Sequence, residues 1–186
     1  LSGAPFDVQF LSFEDVKNGA LKDVDVVINA GFAGSAWSGG DAWKDPALVE
    51  ELLRFVYEGG AFLGVNEPSA VEGFDSFFRM APALGVDEDE GDRQCHGKWS
   101  FETEPDGGLM PQGSFVHRNT LYRRGIPFLT DGQARVLASE EGAPTLTMHR
   151  FGRGTGLYFA SFEKTNANTR LLLNLILAAG HEDLSA

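Results

Sequence analysis

The stretch "VDVVINAG", residues 24–31, constrains the fold most, because it is a nearly continuous apolar run that ends in glycine. Such a run is typical of a parallel strand that is buried on both faces. A helix is predicted to begin at Asp45-Pro46, with aspartate as the N-cap and proline at the first helical position, and to end at Gly59-Gly60. Since the apolar segment "AFLGV" (61–65) follows, this strand–helix–strand order predicts a right-handed parallel crossover. The apolar side of the helix consists of Leu48, Val49, Leu52, Leu53 and Val56.

The remaining periodic segments predict more strands and one long final helix. The turn sequence "FGRGT" joins the last two of these strands as a hairpin. The final helix is expected over 166–179, with Thr165 or Asn166 as its cap and Gly180 at its end. Its leucine-rich stripe is too wide for an exposed helix, so we expect it to be buried against the sheet. The further strands are predicted near residues 7–13, 134–139, 145–150 and 156–161.

The middle of the chain carries weaker signals. The segment "FDSFFRMAPALGV" (74–86) is predicted to form a short helix that ends near Pro82. The acidic run "DEDEGD" (87–92) is predicted to be a surface loop, and residues 93–130 show little periodicity.

Together these elements predict one α/β domain over residues 1–186, a three-layer Rossmann-like sandwich around a mainly parallel sheet. The chain enters its first predicted strand almost at once. An intact domain of this class begins with a strand, a turn and a helix. We therefore expect that the first βα unit is missing and that the chain is a piece of a larger protein.

Composition excludes several classes of function. The net charge of −12 argues against nucleic-acid binding through bulk electrostatics. We expect no membrane segment, because no apolar run reaches about 18 residues, and we see no signal peptide. The single cysteine excludes an internal disulfide and is compatible with a reducing cytoplasm, which is the predicted location.

Two loops are candidates for a binding site, because ligands of open α/β sheets bind beyond the carboxyl ends of the strands. One loop runs from Gly31 to Trp43 and the other from Asn66 to Ala70. The first is rich in glycine and serine, and its backbone N–H groups could cradle an anion, although it matches neither a Walker A loop nor G-x-G-x-x-G. The alternative is that it is only a connecting or packing loop.

Glu67 has two interpretations. In the first, an apolar neighbour raises its pKa and it acts as a general acid or base. In the second, its carboxylate accepts hydrogen bonds from nearby backbone N–H groups and holds the turn together, a turn that Pro68 already restricts. The second interpretation is preferred, since a glycosidase needs a second carboxylate and the sequence nominates none.

Cysteine or metal chemistry is the other alternative. Cys95 and His96 are adjacent, and in a strand their side chains would point to opposite faces, which makes a poor nucleophile–base pair. Cys95, His96, His117 and His149 show no recognised metal-ligand spacing, so no metal site is expected.

The strings "VVINAGFAGSAWSGGDAW" and "EGGAFLGVNEPSA" resemble one family, the 1,3-β-galactosyl-N-acetylhexosamine phosphorylases, also called lacto-N-biose or galacto-N-biose phosphorylases. The resemblance covers most of the chain and is to the central domain. It implies a three-part enzyme with a catalytic TIM-like barrel, this α/β domain and a small β domain. The central domain is similar in fold to class I glutamine amidotransferases and to the trimerisation domain of certain β-galactosidases.

The amidotransferase likeness implies a catalytic Cys in the turn after the strand 61–65 and a His after a late strand. This chain has "GVNEPSA" and "GLYFASFEKTN" there, so the machinery for glutamine hydrolysis is absent. The family likeness implies reversible phosphorolysis of galactosyl-β-1,3-N-acetylhexosamine, with inversion, to galactose 1-phosphate and GlcNAc or GalNAc. The catalytic acid belongs to the barrel, so no catalytic residue is expected in these 186 residues.

From the resemblance and the loop positions we expect this domain to pack on the barrel and to lie near its phosphate site. Inorganic phosphate is a co-substrate, and no cofactor is expected. The expected partners are the barrel and β domains, the sugar and phosphate substrates, and a second copy in a homodimer; the alternative is an oligomerisation or interaction module without catalysis. The residues predicted near the substrate or phosphate are Ser35, Ser38, Gly39, Gly40, Asn66, Glu67 and Ser69.

Overall fold

The predicted strand–helix–strand unit is confirmed in a computed structural model that describes residues 6–89, 98–118 and 125–180. Strand β1 (Val26–Gly31) leads through helix α2 (Pro46–Tyr57) to strand β2 (Ala61–Asn66), and the two strands pair in parallel. Asp45 is the N-cap of α2, as predicted, because its carboxylate accepts a hydrogen bond of 3.0 Å from the amide of Ala47.

The described residues form further helices and strands besides this unit. These are α1 (Phe13–Lys17), two 3-10 turns (Ala20–Asp23 and Gly40–Lys44), α3 (Ala81–Leu84), β3 (Val86–Asp89), β4 (Ile126–Leu129), β5 (Arg135–Glu140), β6 (Ala143–Phe151), β7 (Gly154–Phe159) and α4 (Asn166–Gly180). The strands form a five-stranded sheet with the order β1-β2-β7-β6-β5 and a separate sheet in which β3 pairs with β4 antiparallel. Helix α1 packs against α2.

The prediction of a parallel sheet is confirmed for β1, β2 and β7, whereas β5 and β6 run antiparallel to their neighbours. Two-residue turns cause this difference, since strands joined by so short a loop must run antiparallel. The predicted hairpin turn lies at Gly152, which has φ +62°, and the second lies at Glu141 and Gly142, with φ +51° and +78°. Three strands are therefore joined as a meander at one side of a parallel sheet.

Both faces of the sheet are covered, by different helices. Side chains alternate along β2 and β7, so Leu63 and Leu157 point to one face. On the other face, a Cβ atom added at Gly156 would lie 1.9 Å from the carbonyl oxygen of Ala83, so glycine there allows α3 to rest on the sheet backbone. Helix α4 covers the face of Leu63 and Leu157. A Cβ atom added at Gly180, the last residue of α4, would lie 3.9 Å from the side chain of Val26, which belongs to that face.

The final helix begins as predicted, since the hydroxyl oxygen of Thr165 accepts a hydrogen bond of 3.0 Å from the amide of Asn168. Its apolar stripe is buried at Leu171, Leu175 and Ile176, but Leu177 stays 37% exposed. The predicted burial is therefore confirmed for only part of the stripe.

The predicted strand at 7–13 is wrong. Residues 6–12 have no regular secondary structure, and Phe13 already begins α1. The reason is a capping box: the Ser12 hydroxyl accepts from the amide of Asp15, and the Asp15 carboxylate accepts from the amide of Ser12.

The predicted helix over 74–86 is also wrong in extent. Helix α3 occupies only Ala81–Leu84, and Pro82 lies in its first turn instead of ending it. The aromatic residues before it are buried as core side chains, with Phe77 at 1% exposure and Phe78 at 0%. The spacing of these aromatic residues, which led to the helix prediction, therefore comes from the packing of an irregular segment and not from a helix.

The acidic run is not a surface loop where the structure describes it. Asp87 and Glu88 belong to β3 and are buried. The Asp87 carboxylate accepts hydrogen bonds from the amides of Phe77 (3.1 Å), Phe78 (2.7 Å) and Glu88 (2.8 Å). Amide donors thus replace the water that a buried carboxylate loses. The rest of the run, 90–92, lies outside the described residues.

Candidate functional site

The two predicted loops meet at the carboxyl end of the parallel strands. Gly31, the last residue of β1, lies opposite Asn66, the last residue of β2. The amide of Glu67 then donates a hydrogen bond of 2.9 Å to the carbonyl of Gly31. Residues that are far apart in sequence therefore form one continuous edge, as the parallel arrangement predicts.

Asn29 joins the two loops, and sequence reasoning missed it. Its amide nitrogen donates to the carbonyl of Ser38 (3.1 Å), and its side-chain oxygen accepts from the amide of Ser69 (2.8 Å). Asn29 is the only polar side chain inside the apolar run 24–31 other than that of Asp25 at its start, and this was the available signal. Asn29 is half-buried, and a polar side chain is kept at such a position when its hydrogen bonds are satisfied.

The two predicted serines direct their hydroxyl groups into their own loop. Both Ser35 and Ser38 donate to the carbonyl of Phe32, at 2.6 and 2.7 Å, and Ser38 is fully buried. The Gly39 amide donates to the carbonyl of Ser35 (3.3 Å). Gly40, with φ +49°, opens the 3-10 turn Gly40–Lys44. These bonds give the loop a fixed shape, and contact of any of these residues with phosphate remains a prediction.

Glu67 is buried, with 1% of its surface exposed. Its Oε2 atom accepts a hydrogen bond of 2.6 Å from the amide of Ala33, in the opposite loop. Its Oε1 atom is buried and has no hydrogen-bond partner among the described residues. As in the second interpretation, the Glu67 carboxylate accepts a hydrogen bond from a backbone N–H group, but this amide belongs to the opposite loop and not to the turn of Glu67 itself.

The turn around Glu67 is strained and held in place by Ser69. Asn66 and Ser69 have φ +68° and +55°, values that non-glycine residues rarely adopt. The Ser69 hydroxyl accepts from the amide of Met80 (3.0 Å) and donates to the carbonyl of Pro68 (2.6 Å). The predicted turn is thereby tied to the segment before α3.

A cleft of about 220 Å³ lies between the two loops. A larger cleft of about 490 Å³ lies near the opposite end of β1, around Val24, Arg54 and Gly60, away from the predicted site residues. The smaller cleft is the one that the strand topology favours for a ligand. It is lined by Ala33, Gly34, Gly40, Asp41, Lys44, Ala70, Val71 and Glu72.

The described histidines serve structural contacts. His117 Nδ1 lies 2.7 Å from the Glu140 carboxylate, and the pKa of Glu140 is lowered, first by a hydrogen bond from the amide of Arg118 and then by His117. His149 is buried, with Nδ1 3.0 Å from the carbonyl of Ala83. Across the described ranges, no three His, Cys, Asp or Glu side chains are close enough to hold a metal ion. Cys95 and His96 lie outside those ranges.

No helix in the described part of the chain combines the length and the apolar character needed to cross a membrane.

Curated relatives match nearly all of this chain. It is 54% identical over 182 residues to a D-galactosyl-β-1→4-L-rhamnose phosphorylase of Lachnoclostridium phytofermentans, which covers 98% of this chain and 24% of the relative. It is 30% identical over 215 residues to a 1,3-β-galactosyl-N-acetylhexosamine phosphorylase of Bifidobacterium longum subsp. longum, covering 98% of this chain and 29% of the relative. The chain thus spans about a quarter of the length of these proteins.

A solved structure shares the fold. The cytoplasmic protein STM3548 of Salmonella typhimurium superposes with a TM-score of 0.59 at 14% identity, over 93% of this chain and 81% of its own. At this identity the likeness concerns the fold alone. The sequence model described as the lacto-N-biose phosphorylase central domain matches residues 1–184, almost the whole chain. The chain therefore belongs to the family of lacto-N-biose phosphorylase central domains.

Proposed function

We propose that this chain is the central domain of a cytoplasmic phosphorylase that cleaves a terminal β-galactoside with inorganic phosphate. Phosphate attacks the anomeric carbon of galactose with inversion, the glycosidic bond breaks, and galactose 1-phosphate and a free acceptor sugar are formed. An inverting phosphorylase needs one acid for the leaving oxygen and no enzymatic base, because phosphate is the nucleophile. The 54% identity to a galactosyl-rhamnose phosphorylase is the observation that carries the proposal.

The same observation favours L-rhamnose as the acceptor sugar. The identity to the rhamnose enzyme is 54%, against 30% to the N-acetylhexosamine enzyme of Bifidobacterium longum. An acceptor of the second kind, GlcNAc or GalNAc in a β-1,3 linkage, is the second candidate, and the description of the family supports it.

The test uses the full-length protein, phosphate and three disaccharides: galactosyl-β-1,4-rhamnose, galactosyl-β-1,3-GlcNAc and galactosyl-β-1,3-GalNAc. Release of galactose 1-phosphate is measured, and its anomeric configuration is read by NMR. We expect kcat/KM for the rhamnoside to exceed the other two at least about tenfold, as a site built for one hydroxyl pattern discriminates. The reverse order assigns the second acceptor, and no phosphate-dependent cleavage of any of the three disproves the proposal.

For the domain itself we propose that the carboxyl edge of the sheet faces the catalytic barrel. Its two loops are bound to each other through Asn29 and Glu67, so they form one rigid surface. Trp37, on this surface, is 83% exposed, which is unusual for so large an apolar side chain. We also propose that the fold of this domain is of the class I glutamine amidotransferase type. A module that only joins copies of the protein is the alternative, and it is favoured by the same exposed Trp37.

Contact with phosphate is tested separately. Replacing Ser35 or Ser38 by Ala in the full-length enzyme should raise the KM for phosphate at least about tenfold more than the KM for the disaccharide if the loop binds phosphate, since a hydrogen bond to a charged group contributes about 1.5–3 kcal/mol. The hydrogen bonds of both serines to Phe32 favour the other outcome, a loss of thermal stability with equal KM changes. Ser139→Ala, on the distant strand β5, is the control.

A further inference from the structure

An irregular hairpin follows the turn after β2, at the carboxyl edge of the sheet. Its first arm begins at Ser69, whose amide donates to the side chain of Asn29 in β1 (2.8 Å). Its second arm returns antiparallel, since Ala70 forms a bridge with Phe78. The amide of Arg79 donates to the carbonyl of Ser69 (3.1 Å), so the backbone of Arg79 is fixed beside the two predicted loops.

The side chain of Arg79 is half-buried and is held by an aromatic ring. The central carbon of its guanidinium lies 4.0 Å from the ring centroid of Phe74, near the tip of the same hairpin. A cation in this position is attracted by the negative face of the ring. The contact therefore restricts the movement of the guanidinium and the directions in which its N–H groups can donate.

This cation has no anionic partner in the part of the chain that the structure describes. No carboxylate forms an ion pair with Arg79 there, and its Nε atom is buried without a hydrogen-bond partner. The sequence holds 27 acidic residues against 15 lysines and arginines, so carboxylates are not scarce. The guanidinium of Arg118, for comparison, lies 3.4 Å from the Glu141 carboxylate. Since burying a charge costs free energy unless an opposite charge or hydrogen bonds replace the lost water, Arg79 is suited to an anionic ligand.

The chemistry of the side chain favours a phosphate group as that ligand. The N–H donors of a guanidinium form a planar fork that matches two oxygens of one phosphate. The position agrees as well, because ligands of such sheets bind beyond the carboxyl ends of the parallel strands. Ser35 and Ser38, which the sequence predicts near phosphate, donate to the carbonyl of Phe32 instead.

We propose that Arg79 binds the phosphate group that the enzyme transfers, both as inorganic phosphate and in galactose 1-phosphate. Two N–H groups of the guanidinium donate to two phosphate oxygens, while the ring of Phe74 holds the guanidinium in place. The neighbouring carboxylates of Glu72 and Asp75 are exposed, so water weakens their repulsion of the anion. The inference rests on the proposed phosphorolysis and names the residue of this domain that binds its co-substrate.

The first test measures binding without turnover. Isothermal titration calorimetry of the full-length protein gives the Kd for inorganic phosphate and, separately, for galactose 1-phosphate. Arg79→Lys keeps the charge but loses the fork, and we expect both Kd values to rise at least about tenfold. An unchanged Kd for either ligand would overturn the proposal.

The matched control for this measurement is Arg150→Lys. Arg150 is an exposed arginine of β6, and it lies opposite Thr155 near the amino end of β7, at the other edge of the sheet. The same chemical change is therefore made away from the hairpin. Both Kd values should change by less than about twofold in this variant, and a rise equal to that of Arg79→Lys would overturn the proposal.

The second test remains valid if a variant is less stable. Thermal unfolding of the full-length protein is followed with and without saturating phosphate, because a ligand that binds only the folded protein raises its Tm. We expect phosphate to raise the Tm of the wild type and of Arg150→Lys, and to leave the Tm of Arg79→Gln unchanged. An equal increase in all three proteins would show that Arg79 has a structural role only.

Turnover separates this inference from the proposed function. In Arg79→Lys the KM for phosphate should rise at least about tenfold, while the KM for the disaccharide changes by less than about threefold. Equal rises of both would contradict a phosphate contact. A wild type that binds phosphate through Arg79 but cleaves none of the three disaccharides would disprove the proposed function and still support this binding site.

Discussion

The carboxylate of Glu67 accepts a hydrogen bond of 2.6 Å from the backbone amide of Ala33, 34 positions earlier in the sequence. The turn after one parallel strand thereby fixes the loop after its neighbour. We expect Glu67→Ala to lower the free energy of unfolding by about 1.5–3 kcal/mol, the range for a hydrogen bond to a charged group. Glu67→Gln keeps an acceptor and should cost less than half as much. Urea denaturation measures both, and equal losses would show that the charge matters more than the hydrogen bond.

Asn29 should contribute more to the free energy of unfolding than a residue that makes one hydrogen bond. Asn29→Ala removes a donor to the carbonyl of Ser38 and an acceptor for the amide of Ser69. We expect the free energy of unfolding to fall by about 2–3 kcal/mol, at roughly 1 kcal/mol or more for each of these partly buried hydrogen bonds. Asn174→Ala, which removes one bond to the carbonyl of Leu109, is the control. Hydrogen exchange at the Ser69 amide should accelerate only in the first variant. An unchanged Ser69 amide would mean that the two loops are held together without Asn29.

Gly156 should not accept a side chain. A Cβ atom there would lie 1.9 Å from the Ala83 carbonyl oxygen, so α3 would have to move away from the sheet. We expect Gly156→Ala to cost about 3 kcal/mol, at the upper end of overpacking effects. At Gly180 the nearest atom would lie 3.9 Å away, and Gly180→Ala should change stability by less than about 1 kcal/mol. Thermal unfolding of the two variants tests this, and similar Tm values would contradict the close contact of α3 with β7.

Asp87 should be the most sensitive carboxylate of the small sheet. Its carboxylate accepts from three amides, and Asp87→Asn would turn a donor group toward at least one of them. We expect a loss of about 2–3 kcal/mol. In the control Asp89→Asn, an ion pair with the half-exposed Lys98 is lost, which should cost less than about 1 kcal/mol. Denaturation in urea measures both changes, and a larger effect at Asp89 would contradict the assignment.

Glu140 should contribute a pH dependence of known sign. Its pKa is lowered in the folded state, chiefly by the hydrogen bond from the amide of Arg118 and then by His117. A carboxyl group with a lowered folded pKa stabilises the protein above its unfolded pKa of about 4.3 and loses this contribution as the pH falls through the folded value. Glu140→Gln should therefore destabilise the protein at pH 6, and the difference from the wild type should shrink toward pH 3. Urea denaturation at several pH values measures it, and a constant difference would contradict this account.

Local signals predicted the parallel half of the sheet well. The apolar runs 24–31 and 61–65, and the cap at Asp45-Pro46, depend on neighbours in sequence, and the structure forms both strands and the cap as predicted. Burial on both faces is found for β2, but the same prediction for 24–31 is wrong, because β1 is the outermost described strand of the sheet and all its residues are half-buried or exposed. The meander β5–β6–β7 was predicted strand by strand, and its second turn was predicted as a hairpin, which the antiparallel pair β6–β7 confirms. The first turn was not predicted, and it carries a non-glycine residue, Glu141, with positive φ.

Contacts across long sequence separations were not predictable. Asp87 and Glu88 read as surface residues, because nothing in their own segment shows that amides from Phe77 and Phe78 will surround the carboxylate of Asp87. In the same way the bridging role of Asn29 depends on Ser69, 40 positions later. Tertiary structure here overrides the local preference of each segment.

Strand β7 fills the centre of the sheet late in the sequence. It separates β2 from β6, and the Arg153 guanidinium before it donates to the carbonyl of Glu58 across 95 positions. A ribosome needs roughly 5–20 s to add that many residues. During this time the nascent β2, which is apolar on both faces, has no β7 with which to pair. Because unpaired strand edges and exposed apolar surface favour aggregation, we expect the interval between the synthesis of β2 and that of β7 to be the stage at which this domain is most prone to it.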